Sequence, residues 1–317
     1  MKSLYAPIEP FAVHKLAVGH GHHVCVEECG NPQGLPVLFL HGGPGAGCKL
    51  HHRGFFDPAR YRAVLLDQRG AGRSTPHGGL QHNTTTHLLE DLEAVRKKLG
   101  IERWLLFGGS WGAALALLYA QKHPKRVLGL VLRGSFLARP SDLDWFLGAG
   151  AGRIYPEAWQ RFLHSVPPEH RDAPIPHLYA QITGDDELAQ RRAARAWMLW
   201  GGQVTLGEDF DPAPLDKHLS QEQLHKARIE LHYAAHRYFL ADNQILDNCP
   251  AIAHLPAVVI HGRKDLVCVA EAAFSLHQTL PESELRILPD AGHIAEGDSM
   301  IDALVDAADR MAERLQP

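Results

Sequence analysis

The sequence predicts an α/β fold: a mostly parallel central sheet with helices on both faces and an inserted helical cap. Three observations carry this reading. Short Val/Leu/Phe runs recur, often ending in glycine: PVLFLHGG (36–43), YRAVLLDQRG (61–70), ERWLLFGGS (102–110) and KRVLGLVLRG (125–134). Runs of this length without strict alternation suit strands buried on both faces of a parallel sheet. Helical stretches lie between them, and strands alternating with helices imply βαβ crossovers. After Arg133 this rhythm stops, and from residue 140 to about 245 helix-like segments rich in Trp, His, Arg and Pro replace it.

Taken in order, KLAVG (15–19) and HHVCVEECG (22–30) flank a glycine turn and read as a hairpin, which GNPQG (30–34) ends. THLLEDLEAVRKKLG (86–100) has apolar residues at helical spacing and a terminal glycine stop. WGAALALLYAQKH (111–123) is apolar nearly all round, which predicts a buried helix. QRRAARAWMLW (190–200) and QEQLHKARIELHYAAHRYFL (221–240) are the clearest helices of the middle region. The strand–helix rhythm returns with LPAVVIHGRKD (255–265), AEAAFSLHQTL (270–280), SELRILPDAGH (283–293) and a final helix through MIDALVDAADRMAERL (300–315). The expected division is one core domain of residues 1–138 and 246–317, interrupted by a helical cap of 139–245.

The composition narrows the function classes. The 317 residues, 45% hydrophobic, suffice for a large core. A formal net charge of −4 with 21% charged residues supplies neither the basic patch that nucleic acid requires nor an acidic tail. The N-terminus lacks a secretory pattern, and no apolar run approaches the roughly 20 residues that span a bilayer. Five scattered cysteines read as reduced thiols in a cytoplasm. HGHH (20–23) and HH (51–52) resemble metal tracts by composition. Neither lies beside a carboxylate or cysteine cluster, so they read as loop residues, and no metal or other cofactor is expected.

Chemistry enters at GGSWG (108–112), a G-x-S-x-G match between a predicted strand and a predicted helix. In that context it is a nucleophile elbow, whose tight turn lifts Ser110 out of the sheet's carboxyl edge. A serine hydroxyl needs a base, and the base needs an orienting carboxylate. Asp265 follows the strand PAVVI and His293 follows LRIL, so both emerge at the same edge as Ser110. His277 lies mid-helix, Asp290 reads as a turn former and Asp298 as a helix cap, which leaves Asp265 and His293 ahead. For the oxyanion, the N–H of Trp111 is one expected donor. The second comes from HGGPG (41–45), with Gly43 favoured over Gly42.

The set HGGPG (41–45), DQRGAGRS (67–74), GGSWG (108–112), HGRKD (261–265) and AGH (291–293) resembles the proline iminopeptidases of the α/β-hydrolase fold. The likeness runs over nearly the whole chain and includes HNTTTHLLEDLE (82–93) and VLRGSF (131–136). It implies a cytoplasmic, cofactor-free serine peptidase that removes N-terminal proline from short peptides under a cap. It also implies substrate-side roles for Glu230, Arg133, Phe136 and Cys268, with Glu230 holding the substrate's amine. Three positions depart from the family, one of them Leu231, where an asparagine is usual. Gly201 stands where an acid follows the tryptophan, and Ala234 stands where a phenylalanine is usual. Asp209 or Glu208 is a candidate replacement acid. An esterase or amidase on the same scaffold is the alternative reading.

Overall fold

The computed structural model describes residues 1–316, the side chain of Asp216 aside. The chain opens with the hairpin β1 (Ala12–Gly19) and β2 (His22–Gly30). It continues through β3 (Leu35–Leu40), β4 (Tyr61–Asp67), α1 (Thr85–Lys98), β5 (Trp104–Gly109), α2 (Trp111–Lys122) and β6 (Val127–Arg133). Helices alone follow: α3 (Pro140–Leu147), α4 (Ala149–Gly152), α5 (Pro156–His164), α6 (Pro174–Thr183), α7 (Glu187–Leu206), α8 (Ala213–Lys217), α9 (Gln221–Ala235) and α10 (Gln244–Asp247). The chain then returns to the sheet with β7 (Ala257–Gly262), α11 (Ala270–Thr279), β8 (Ser283–Leu288) and α12 (Asp298–Leu315).

The eight strands form one sheet in the order β1-β2-β4-β3-β5-β6-β7-β8. β2 pairs antiparallel with both β1 and β4, while the pairs from β4 to β8 are parallel. Side-chain alternation splits each central strand between two cores. Leu38, Leu40 and Leu106 pack with α1, α2 and α11 on one face. Val37, Phe39, Leu105 and Phe107 pack with α12, Phe55 and Phe56 on the other. That is why these strands read as unbroken apolar runs. α2 is buried from Trp111 to Ala120, which accounts for its lack of a polar face. A third cluster is built largely from the helices between β6 and β7, including Phe162, Leu178, Trp197, Trp200 and Leu231. Among the described residues, no helix is long and apolar enough to cross a membrane.

One helix differs from its sequence reading. The pattern through Leu240 predicts a continuous helix, yet α9 stops at Ala235. Arg237, Tyr238 and Phe239 then form a left-handed turn with φ of 49, 56 and 55°. Left-handed backbone costs on the order of 1–2 kcal/mol per non-glycine residue, so tertiary contacts must hold it. The Tyr238 ring is buried against Phe136 (centroids 4.6 Å apart) and Trp111 (5.4 Å), and Thr85 Oγ1 donates to the Tyr238 carbonyl at 2.5 Å. Asp298 is the first residue of α12, and Gly297 takes the cap position instead.

Candidate active site

Ser110 stands at the junction of β5 and α2 with φ 57° and ψ −123°, a conformation a non-glycine residue holds only under constraint. The constraint is visible on both sides. A Cβ at Gly108 would meet the Gly112 carbonyl oxygen at 2.3 Å, and one at Gly112 would meet the Leu40 carbonyl oxygen at 2.0 Å. The Ser110 N–H also donates to the Arg133 carbonyl at 2.8 Å, tying the turn to β6.

From this turn the hydroxyl faces an imidazole. His293 Nε2 lies 3.1 Å from Ser110 Oγ, and His293 Nδ1 lies 2.7 Å from Asp265 Oδ2. Asp265 and His293 come from the loops after β7 and β8, at the carboxyl edge of the sheet. The other oxygen of Asp265 accepts the N–H groups of Val267 and Cys268, both at 2.9 Å. Burial by itself would push this carboxyl up; the His293 imidazole beside it and the hydrogen bond between them outweigh burial and hold it below the usual range. His261 Nε2 donates to the Cys268 carbonyl at 2.6 Å and stands 3.5 Å from Asp265 Oδ2. The rivals lie elsewhere: His277 bonds Ser283 Oγ and Asp290 pairs with Lys264.

A cavity of about 640 Å³ opens over Ser110 and His293, and Gly43, Trp111, Arg133, Phe136, Glu230 and Cys268 all line it. The loop carrying Gly43 is fixed through a residue that motif reading passed over. Gln68 Nε2 donates to the His41 carbonyl at 2.8 Å, its Oε1 accepts from Trp111 Nε1 at 2.9 Å, and its backbone N–H donates to His41 Nε2 at 3.0 Å. DQRG therefore joins HGGPG to the residue after Ser110. Only the resemblance drew attention to DQRG, because Gln68 lies far from both partners in sequence.

The four expected substrate-side residues differ in position. Arg133 is turned beneath the site, where its guanidinium donates to the His293 carbonyl. Cys268 is buried beside Ser110, and burial pushes its thiol well up. Phe136 forms an apolar wall together with Tyr238. Glu230 reaches the cavity from α9, with Trp197 Nε1 donating to it at 2.8 Å and Lys226 Nζ forming an ion pair with it at 3.8 Å. Gly201 also lines the cavity, and a Cβ there would meet nothing within 4 Å. Glu208 and Asp209, the candidate replacement acids, are exposed and outside the lining. Ala234 is buried in the cluster between β6 and β7, away from the cavity, so its small side chain leaves the pocket wall untouched. Tyr238 and Trp197 supply aromatic surface that the sequence did not single out.

Comparison with known proteins gives this architecture a class. The family model of the alpha/beta hydrolase fold matches residues 36–297, so the chain is an α/β hydrolase by fold. It resembles a proline iminopeptidase-related protein of Thermus thermophilus in structure, with a TM-score of 0.58 at 21% identity, covering 96% of this chain and 98% of that one. In sequence it is 45% identical over 313 residues to the proline iminopeptidase of Xylella fastidiosa strain Temecula1, covering 98% of this chain and 99% of that one. The proline iminopeptidase of Arabidopsis thaliana is 44% identical over 316 residues, covering 98% and 82%. The chain belongs to the proline iminopeptidase family.

Proposed function

We propose that this chain is a serine aminopeptidase that releases the N-terminal residue, proline foremost, from short peptides. The observation that carries the proposal is the hydrogen-bonded series Ser110–His293–Asp265 at the floor of the cavity that Glu230 enters from above. In this reading His293 Nε2 takes the proton as Ser110 Oγ attacks the scissile carbonyl. Asp265 accepts from Nδ1–H, fixes the tautomer and stabilises the imidazolium. The N–H groups of Gly43 and Trp111 receive the oxyanion. His293 returns the proton to the leaving amine, and water then cleaves the acyl-enzyme by the same route. Arg133 positions His293 through its main-chain carbonyl.

Selectivity comes from above the sheet. Residues 139–245 act as a cap that closes the cavity to long chains. The Glu230 carboxylate receives the substrate's ammonium group, and Phe136 with Tyr238 packs the proline ring. The names of the close relatives support a peptidase over an esterase. All five cysteines are free thiols, which supports a reducing compartment, the cytoplasm.

The test is turnover of a prolyl arylamide with and without N-acetylation, beside a p-nitrophenyl ester. The expected result is turnover of the free amine and little of the acetylated compound. Equal rates on both would remove the role of Glu230. Ester hydrolysis without arylamide turnover would overturn the peptidase reading.

A further inference from the structure

The structure assigns this chain a second site, a divalent transition-metal site built from His20, His82 and His87. His20 lies in the turn between β1 and β2, His82 in the loop before α1, and His87 in the first turn of α1. One ring nitrogen from each lies within 4.8 Å of the other two. An ion equidistant from three atoms at that limit sits roughly 2.8 Å from each, so reaching the roughly 2.0–2.1 Å of a Zn–N bond takes shifts under about 1 Å. The His20 and His82 rings are stacked, centroids 4.0 Å apart. One of them must turn about χ2 to aim its lone pair, and that torsion is soft in histidine.

Core packing does not explain the cluster, because His20 and His82 are exposed. What does hold it is a buried arginine beneath. Arg69 donates to the Val18 carbonyl at 2.9 Å and to the His82 carbonyl at 2.7 Å, and it pairs with Asp91 of α1 through bonds of 2.6 and 2.7 Å. All three ligand-bearing segments therefore converge on one side chain whose charge Asp91 offsets. Thr84 Oγ1 lies 2.8 Å from His87 Nδ1, the kind of contact that fixes a ligating histidine and leaves Nε2 for the ion. Neutral imidazoles suit Zn²⁺, Ni²⁺ and Cu²⁺, and three of them leave a position for water.

The placement has a consequence for the cap. Asn83, next to His82, accepts from His232 Nε2 and from the Tyr233 hydroxyl, both at 2.9 Å. An ion here would clamp the edge hairpin to the loop that props α9.

The experiment is equilibrium dialysis of the tag-free, full-length chain against Zn²⁺ and, separately, Ni²⁺. We expect one ion per chain at a micromolar Kd or tighter. H20N, H82N and H87Q should each weaken binding at least about tenfold; asparagine is chosen at 20 and 82 because both have positive φ. Replacing His170 and His177, a stacked pair in the cap, should leave binding unchanged. Zn²⁺ should raise the melting temperature of the wild type and not of H87Q, with circular dichroism in chelator showing both equally folded. Absence of a stoichiometric ion, or binding that survives the triple variant, overturns the site.

Discussion

The elbow beneath Ser110 and the cap wall above it hold their residues in opposite ways. At the elbow, backbone meets backbone: Gly108 and Gly112 have no room for a Cβ, and Ser110 keeps a conformation it would not choose alone. At the wall above, side chains projecting from helices form the surface, and Gly201 faces the cavity with nothing within 4 Å of where a Cβ would stand. In the proposed reading the reacting centre is thus fixed by main-chain geometry, while the recognition surface is fixed by side chains that substitution can exchange. A hydrolase scaffold can keep one chemistry and change its substrate for this reason.

The sharpest break in the comparison is Ser110→Ala. It should lower kcat about 10⁴-fold or more with the melting temperature unchanged, as steady-state kinetics and calorimetry would show. A lesser loss would mean that another group supplies the nucleophile. Gly112→Ala should destabilise the fold by roughly 4 kcal/mol or more, since the new methyl would lie 2.0 Å from the Leu40 carbonyl oxygen. Urea denaturation measures it, and a shift under about 1 kcal/mol would refute the crowding argument.

Changes at the cap wall should be smaller and confined to recognition. Glu230→Gln should raise KM for free-amine substrates by about 10- to 100-fold, in line with the roughly 1.5–3 kcal/mol of a charge-assisted hydrogen bond. Acetylated substrates should not respond. Gly201→Ala, the counterpart of Gly112→Ala, should keep or raise stability by up to about 1 kcal/mol, because alanine suits the interior of α7 better than glycine.

A separate effect concerns acid. Burial holds the His232 imidazole down to about 4 from its ordinary 6.5. The native state then refuses a proton that the unfolded chain accepts, so this stability is present above pH 6.5 and is lost as pH falls towards 4. The Asp265 carboxyl is held below its ordinary 3.8, so its contribution is lost only at more acid pH. His232→Gln should reduce the slope of unfolding free energy between pH 6.5 and 4 by about 1.4 kcal/mol per pH unit. An unchanged slope would show that His232 is not the group responsible.

Much of the core was legible because its signals are local. A strand buried on both faces is a continuous apolar run, and an elbow must spell glycine on either side of its serine. Ser110, Asp265 and His293 each follow a strand, so one sheet edge collects them. The cap was less legible. Nothing in QEQLHKARIELHYAAHRYFL marks the left-handed turn at Arg237–Phe239, since each residue there is an acceptable helix former and the cause lies in the rings of Phe136 and Trp111. Ala234 shows the same limit: the resemblance puts a pocket aromatic at this position, while the residue here packs in the cluster between β6 and β7.

By itself the sequence determined the layers, the sheet-edge origin of Ser110, Asp265 and His293 and the positions where only glycine fits, because those follow from periodicity and from sterics within a few residues. Which way Arg133 points, that Gln68 joins two loops to Trp111, and that His20 meets His82 and His87 were decided only in three dimensions. Contacts between side chains far apart in the chain depend on how whole layers pack, and no local pattern records that.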